Sequence, residues 1–145
     1  MKIKVDKIPI GDGSPLVLIA GPCVVEGRDM ILNTAERIKE IAERCNYPYI
    51  FKSSYKKANR TNVSSFTTIG EKEALEILRE VKETLHVPII TDVHTVEEVE
   101  RAAEYADILQ IPAFLCRQTD LLIAAGKSGR VVNIKKGQFL APEDM

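Results

Sequence analysis

The strongest constraint on this chain is a unit that keeps recurring: a short apolar run, then a stretch with apolar residues every three or four positions. Leu16-Val17-Leu18-Ile19-Ala20 is wholly apolar, as in strands buried on both faces of a parallel sheet. Residues 29–45 then carry Ile31, Ala35, Ile38, Ala42 and Cys45 on one stripe, the pattern of an amphipathic helix with Cys45 in its core face. The unit returns with a strand at 47–51 and a helix over Glu71–Leu85, where Ala74, Leu78, Val81 and Leu85 fall in register. A third strand at 87–91 precedes a helix at 95–106, opened by a Thr95…Glu98 capping box. A fourth strand, Ile108–Ile111, leads to a short helix over Thr119–Lys127 with Thr119 as its expected N-cap. Val131–Ile134 is the fifth strand, and Pro142-Glu143-Asp144 reads as a helix start. Residues 1–15 form a preface: Lys2-Ile3-Lys4-Val5 alternates, Ile8-Pro9-Ile10 follows, and Gly11-Asp12-Gly13 supplies turn chemistry. A small hairpin or irregular cap is expected there.

Strand–helix alternation implies an α/β fold with a parallel sheet, either an open doubly wound sheet or a barrel. The strand ends favour the barrel. They carry, in order, Gly21-Pro22-Cys23, Lys52-Ser53-Ser54, Asp92 with His94, Gln110 with Ala113 just beyond, and Lys135-Lys136 with Gln138. Polar groups at the C-terminal end of every strand suit one common mouth, whereas an open sheet concentrates them at its switch point. A complete (β/α)8 TIM barrel takes about 250 residues and eight strands. This chain has 145 residues. The expectation is therefore a single incomplete barrel domain over 1–145: a cap at 1–15, then strands one to five at 16–145.

Charge narrows the ligand class. Lys+Arg number 20 against 21 Asp+Glu, a net charge of −1. With no basic excess, neither nucleic acid nor an anionic membrane is an expected partner. The longest apolar run, residues 16–25, is too short to span a bilayer and is broken by Gly21-Pro22. No leader pattern is visible, and the three cysteines show no CxxC spacing, so a reduced, cytoplasmic setting is expected. Locally, however, cations gather after strands: Lys52, Lys56, Lys57 and Arg60 after the second, Arg117 after the fourth, Lys135 and Lys136 after the fifth. If these loops converge, they form an anion site for phosphates and a carboxylate. A single loop lysine such as Lys56 is ordinarily solvated and idle. Lys52 and Lys135 end apolar strands, where a solvated lysine has no obvious structural use. A Lys among other cations suits proton transfer, and Lys57 is preferred to Lys135 for that role. Cys23 is open to three readings: metal ligand, nucleophile or core filling. Cys116 reads as structural or incidental. His94 is an acid–base group, a metal ligand or a structural residue, and His86 has no assigned role. No GxGxxG or P-loop pattern occurs, so no nucleotide cofactor is expected.

Seven strings occur together and in order: Ala20-Gly21-Pro22-Cys23, Phe51-Lys52-Ser53-Ser54, Lys57-Ala58-Asn59-Arg60, Thr91-Asp92-Val93-His94, Gln110-Ile111-Pro112-Ala113-Phe114-Leu115, Arg117-Gln118-Thr119-Asp120-Leu121 and Asn133-Ile134-Lys135-Lys136-Gly137-Gln138-Phe139. In these the chain resembles the 3-deoxy-D-manno-octulosonate 8-phosphate synthases, from about residue 16 onward. Lys57-Ala58-Asn59-Arg60 distinguishes it from the sibling heptulosonate-phosphate synthases, which carry a Lys-Pro-Arg-type motif there.

The resemblance implies a (β/α)8 barrel, assembled as a homo-tetramer. It implies an enzyme that condenses phosphoenolpyruvate with D-arabinose 5-phosphate and water, on the route to the octulosonate sugar of lipopolysaccharide. By motif, Lys52, Ser54, Lys57, Gln110, Ala113, Lys135 and Gln138 would hold phosphoenolpyruvate. Asn59 and Arg60 would hold the pentose phosphate. Arg117 would serve the phosphate sites, within the subunit or across a boundary. Asp92 and His94 would stand near the reacting carbons. Cys at position 23 marks the variant that uses a divalent metal of the Fe, Zn or Mn type; its other ligands, a His, a Glu and an Asp, come from later strands. One departure is Thr67-Thr68-Ile69-Gly70, where the family often has an Arg-Gly-Pro-Gly-like loop. The competing expectations are an inactive half-barrel acting as a binding or assembly module and, less favoured, a heptulosonate-phosphate synthase relative.

Overall fold

A computed structural model describes residues 2–145. Two strands, β1 (Lys2–Val5) and β2 (Ile8–Gly11), form an antiparallel hairpin. Val5 pairs with Ile8, so the turn is Asp6-Lys7, and Asp6 takes the left-handed backbone (φ 50°) that Asp tolerates. The hairpin choice within the expected preface is thus the one realised. The main sheet is five-stranded and all parallel, in the order β3 (Leu18–Ala20), β4 (Tyr49–Lys52), β5 (Ile89–Asp92), β6 (Ile108–Ile111), β7 (Val131–Ile134). Helices α1 (Arg28–Arg44), α2 (Glu71–Leu85), α3 (Val96–Ala103) and α4 (Thr119–Lys127) form the crossovers. Neighbours in sequence are neighbours in space throughout, which is barrel order rather than doubly wound order. The fold is an α/β partial TIM barrel with an N-terminal hairpin.

Two apolar layers follow from the alternation of side chains along each strand. Phe51, Ile89, Leu109 and Ile111 pack outward against Ile31, Ala35, Leu75, Leu78 and Val99 of the helices. Ile50, Ile90 and Ile108 point the other way and cluster with Val5, Ile8 and Ile10 of the hairpin, and with Val17 and Val131. The hairpin therefore plugs the concave side at the N-terminal ends of the strands. Two residues further along each strand, the same inward set becomes Lys52, Asp92, Gln110 and Asn133. Register keeps this set level: Ile90 pairs with Ile108 and Ile108 with Val131, and Asp92 with Gln110 and Gln110 with Asn133. Between β4 and β5 the pairing is Lys52 with Ile90, a stagger of two residues that brings Ser54 rather than Lys52 level with Asp92.

Several local expectations are corrected. Thr119 is the first residue of α4; Gln118 is its N-cap and makes no side-chain cap bond. Cys45 is the C-cap of α1 and is exposed, because the apolar stripe ends at Ala42. The Thr95…Glu98 box is half made: Thr95 Oγ1 accepts from the Glu98 N–H at 3.4 Å, but the Glu98 carboxylate takes the His94 N–H at 2.8 Å instead of returning to Thr95. Helix α3 stops at Ala103, short of the expected 106, and Pro142–Asp144 forms a 3-10 turn.

Gly21 is where β3 meets the strand beside it. A Cβ built there would lie 2.1 Å from the Lys52 carbonyl oxygen. Gly21→Ala must push the end of β3 off β4, and by analogy with overpacked cores the cost is about 1–3 kcal/mol. Urea unfolding of the two proteins should show the variant's midpoint lowered.

Candidate functional site

The inward polar layer forms one hydrogen-bonded belt. The Asp92 carboxylate accepts from Ser54 Oγ, from Gln110 Nε2 and, at 3.4 Å, from Lys52 Nζ. Lys52 Nζ also reaches Ser54 Oγ at 2.9 Å, and Asn133 Nδ2 donates to Gln110 Oε1 at 2.9 Å. Four neighbouring strands are thus linked at their C-terminal ends through one carboxylate. Burial alone would raise the Asp92 pKa. The Lys52 charge and the bonds from Ser54, Gln110 and Lys52 outweigh it and hold the carboxyl below its ordinary value.

Above the belt lies a cavity of about 170 Å³. Lys52, Ser54, Lys57, Gln110, Ala113, Lys135 and Gln138, all expected at a phosphoenolpyruvate site, line it together with Asn59, Asp92, His94 and Cys23. Arg60 and Arg117 do not line it. The Arg60 guanidinium donates to the carbonyls of Val63 and Ser65, within its own loop, and Arg117 is exposed. Lys136 donates to the carbonyls of Gly137 and Leu140. The cavity is smaller than the roughly 300 Å³ at which ligand sites begin. β3 and β7 are the two edges of the five-stranded sheet, so the mouth is open on both of those sides.

Lys56 is not idle. It lines the cavity and is held by Glu71 at 2.8 Å and Glu98 at 3.1 Å. The Glu71 hydrogen bond is the main reason its pKa is raised; desolvation works against it, and the Glu98 contacts add to it. Glu98 is buried, with 3% of its surface exposed. Burial pushes its pKa up, but bonds from the His94 ring, Lys56 and the His94 backbone bring it to about 2. The departure at Thr67-Thr68 also has a structural use. Thr67 O accepts from the Lys57 N–H at 2.8 Å, and Thr68 Oγ1 donates to Tyr55 O at 2.8 Å, which pins the return of the loop that carries Lys57 and Asn59.

Glu98 and Asn133 were not singled out as site residues by sequence reasoning. Asn133 is the single polar residue in Val-Val-Asn-Ile, which was a usable signal; Glu98 gave none, because His94 lies outside α3, before its N-cap Thr95.

Cys23 is exposed and lines the cavity, as a ligand or nucleophile would. Among the described residues, however, no three His, Cys, Asp or Glu side chains come together in a way that could hold a metal ion. One thiolate is not a metal site, so the donor set of this chain does not by itself fit the implied cation.

The chain matches the DAHP synthetase I family over residues 1–145. It belongs to that family. It is 58% identical over 144 residues to the 2-dehydro-3-deoxyphosphooctonate aldolase of Geotalea daltonii, an alignment covering 99% of this chain and 53% of that protein. The protein of the same name from Burkholderia cenocepacia is 54% identical over 143 residues, 99% of this chain and 50% of the relative. That name is a synonym of 3-deoxy-D-manno-octulosonate 8-phosphate synthase, so these relatives bear out the sequence resemblance. The chain spans about half the length of the curated relatives it matches.

Two measurements test this site. A carboxylate held low in the folded state stabilises the fold fully above its unfolded pKa and loses that contribution as pH falls through the folded value. Stability in urea should therefore drop as pH falls from about 4.5 to about 2, the interval for Glu98. The drop should be shallower in Glu98→Gln. Separately, metal analysis of the dialysed 145-residue chain should find well under one equivalent of zinc, iron or manganese; a full equivalent surviving dialysis contradicts the ligand count.

Proposed function

We propose that this chain carries the substrate-binding face of a 3-deoxy-D-manno-octulosonate 8-phosphate synthase, with the chemistry belonging to the closed barrel. The observation that carries this reading is the convergence of Lys52, Lys57 and Lys135 on one cavity in a chain of net charge −1. Phosphoenolpyruvate and D-arabinose 5-phosphate are both anions that repel each other. Cations fixed in one mouth neutralise them and hold them at attack distance.

In the reaction, the methylene carbon of phosphoenolpyruvate bonds to the aldehyde carbon of the pentose. Water adds at the neighbouring carbon, whose bond to the phosphate oxygen then breaks, releasing phosphate. Lys52, Ser54, Gln110, Lys135 and Gln138, beside Ala113, hold phosphoenolpyruvate. The belt keeps Lys52 and Gln110 from turning away, because both are tied to Asp92. Lys57 moves a proton at the reacting oxygens, next to Asp92 and His94. Asn59 takes the pentose phosphate with Arg60, which must swing out of its loop contacts to do so. Arg117, exposed and outside the cavity, suits a phosphate site of a neighbouring subunit in a homo-tetramer. Cys23 is a metal ligand only in company with donors that are not beside it among the described residues, so no step is routed through a metal here.

No helix among the described residues is long and apolar enough to cross a membrane. The free cysteines suit a reducing cytoplasm.

The test begins with the intact mass of the endogenous protein. A mass approaching twice 16.2 kDa is expected. That protein should release phosphate from phosphoenolpyruvate only when arabinose 5-phosphate is present. Lys57→Ala should lower the rate by about 100-fold or more, the usual contribution of a positioned acid–base group. A cellular protein of 16.2 kDa that is soluble, folds cooperatively and releases no phosphate would instead support the half-barrel binding module and overturn this reading.

A further inference from the structure

We propose that Glu98 is a positioning residue that locks the His94 ring with its proton on Nδ1 and presents Nε2 to the cavity as a hydrogen-bond acceptor. This deepens the synthase reading and rests on it for the identity of the substrates.

A buried carboxylate is costly unless its oxygens are satisfied. Those of Glu98 are satisfied by two loops at once. Oε2 lies 2.8 Å from the His94 backbone nitrogen and 2.9 Å from His94 Nδ1. Oε1 lies 3.1 Å from Lys56 Nζ. Lys56 is braced in turn by Glu71, which also pairs with Arg101 at 3.2 Å. One side chain on α3 thereby ties the loop after β5 to the loop after β4, next to Lys57. An ionised carboxylate can only accept, so a contact of 2.9 Å to Nδ1 requires that nitrogen to donate. In the neutral ring the lone pair then sits on Nε2. His94 lines the cavity, and among the described residues nothing hydrogen-bonds to Nε2. A substrate hydroxyl or the adding water can therefore donate to it. The arrangement parallels other carboxylate–histidine pairs, in which the partner of one ring nitrogen sets the role of the other.

A purely structural Glu98, bracing the start of α3, would leave the ring's tautomer free. Residues 1–145 contain two histidines, so the nitrogen spectrum of the histidine-labelled 145-residue chain contains two rings. His86 sits at φ 53°, a conformation Asn tolerates, so His86→Asn assigns the spectrum without touching the cavity. At a pH where the rings are neutral, the parent protein is expected to show His94 protonated on Nδ1. Glu98→Ala should move the proton to Nε2, the form that dominates in free histidine. Should Glu98→Ala fail to fold, the parent spectrum still decides: a proton on Nε2 of His94 overturns the proposal. So does a folded Glu98→Ala whose tautomer is unchanged.

Turnover of the full-length protein, with the barrel closed, provides the second readout. Glu98→Ala should lower kcat by about 10-fold or more, as loss of an orienting partner does, while KM for phosphoenolpyruvate changes much less. An unchanged kcat overturns the positioning role. The expected tautomer together with no turnover of this substrate pair by the full-length protein counts against the proposed synthase and leaves the assignment of Glu98 standing.

Discussion

The Asp92 carboxylate is the interaction on which the rest of the mouth depends. It is largely shielded from water, and such a charge persists only when its oxygens are occupied. Ser54, Lys52 and Gln110 occupy them, the first two from the end of β4 and the third from β6. Remove the carboxylate and three donors lose their common acceptor, while Gln110 is left with Asn133 as its remaining side-chain partner. The lysine expected to meet an anionic substrate is thus held beside an internal anion. Its ammonium directs two donors to Ser54 and Asp92, which leaves one N–H for a further acceptor.

Much of this was legible because strand periodicity is strict. Residues such as Lys52, Asp92 and Gln110 end apolar runs, and two-residue alternation leaves them little choice of face. Asn133 was readable on the same rule, since it holds the same third place in Val-Val-Asn-Ile that Gln110 holds in Ile-Leu-Gln-Ile. Glu98 was hidden because its residue type fitted a familiar helix-start pattern. Its bonds to His94 and Lys56 come from two loops, and no local rule anticipates that convergence. Lys56 was underestimated for the same reason: its partners lie 15 and 42 residues away in sequence. Cys45 was misread because the end of a helix turns the last position of a stripe away from the core.

The two clusters on either side of the sheet divide the work of the fold. The helix-side layer is large and mainly apolar, and it holds most of the core. The hairpin-side layer is small, and it supports the polar belt by keeping the space beneath it dry. Ile50, Ile90 and Ile108 separate Val5 and Ile8 from the belt. This matters electrostatically, since attraction between Lys52 and Asp92 grows as water is excluded around them.

The alternation that builds the belt also limits how these strands can change over evolutionary time. Thr91 is fully buried on the helix side, where its hydroxyl accepts from the Tyr55 N–H at 3.3 Å. Inserting a single residue between Ile90 and Asp92 would exchange the two faces, sending the carboxylate among the helices and a methyl-bearing side chain into the mouth. Gains and losses within these strands are therefore tolerable only in steps of two. Single insertions and deletions must accumulate in the connections, and the long stretch between Lys57 and Gly70, outside the sheet register, is where such drift has room.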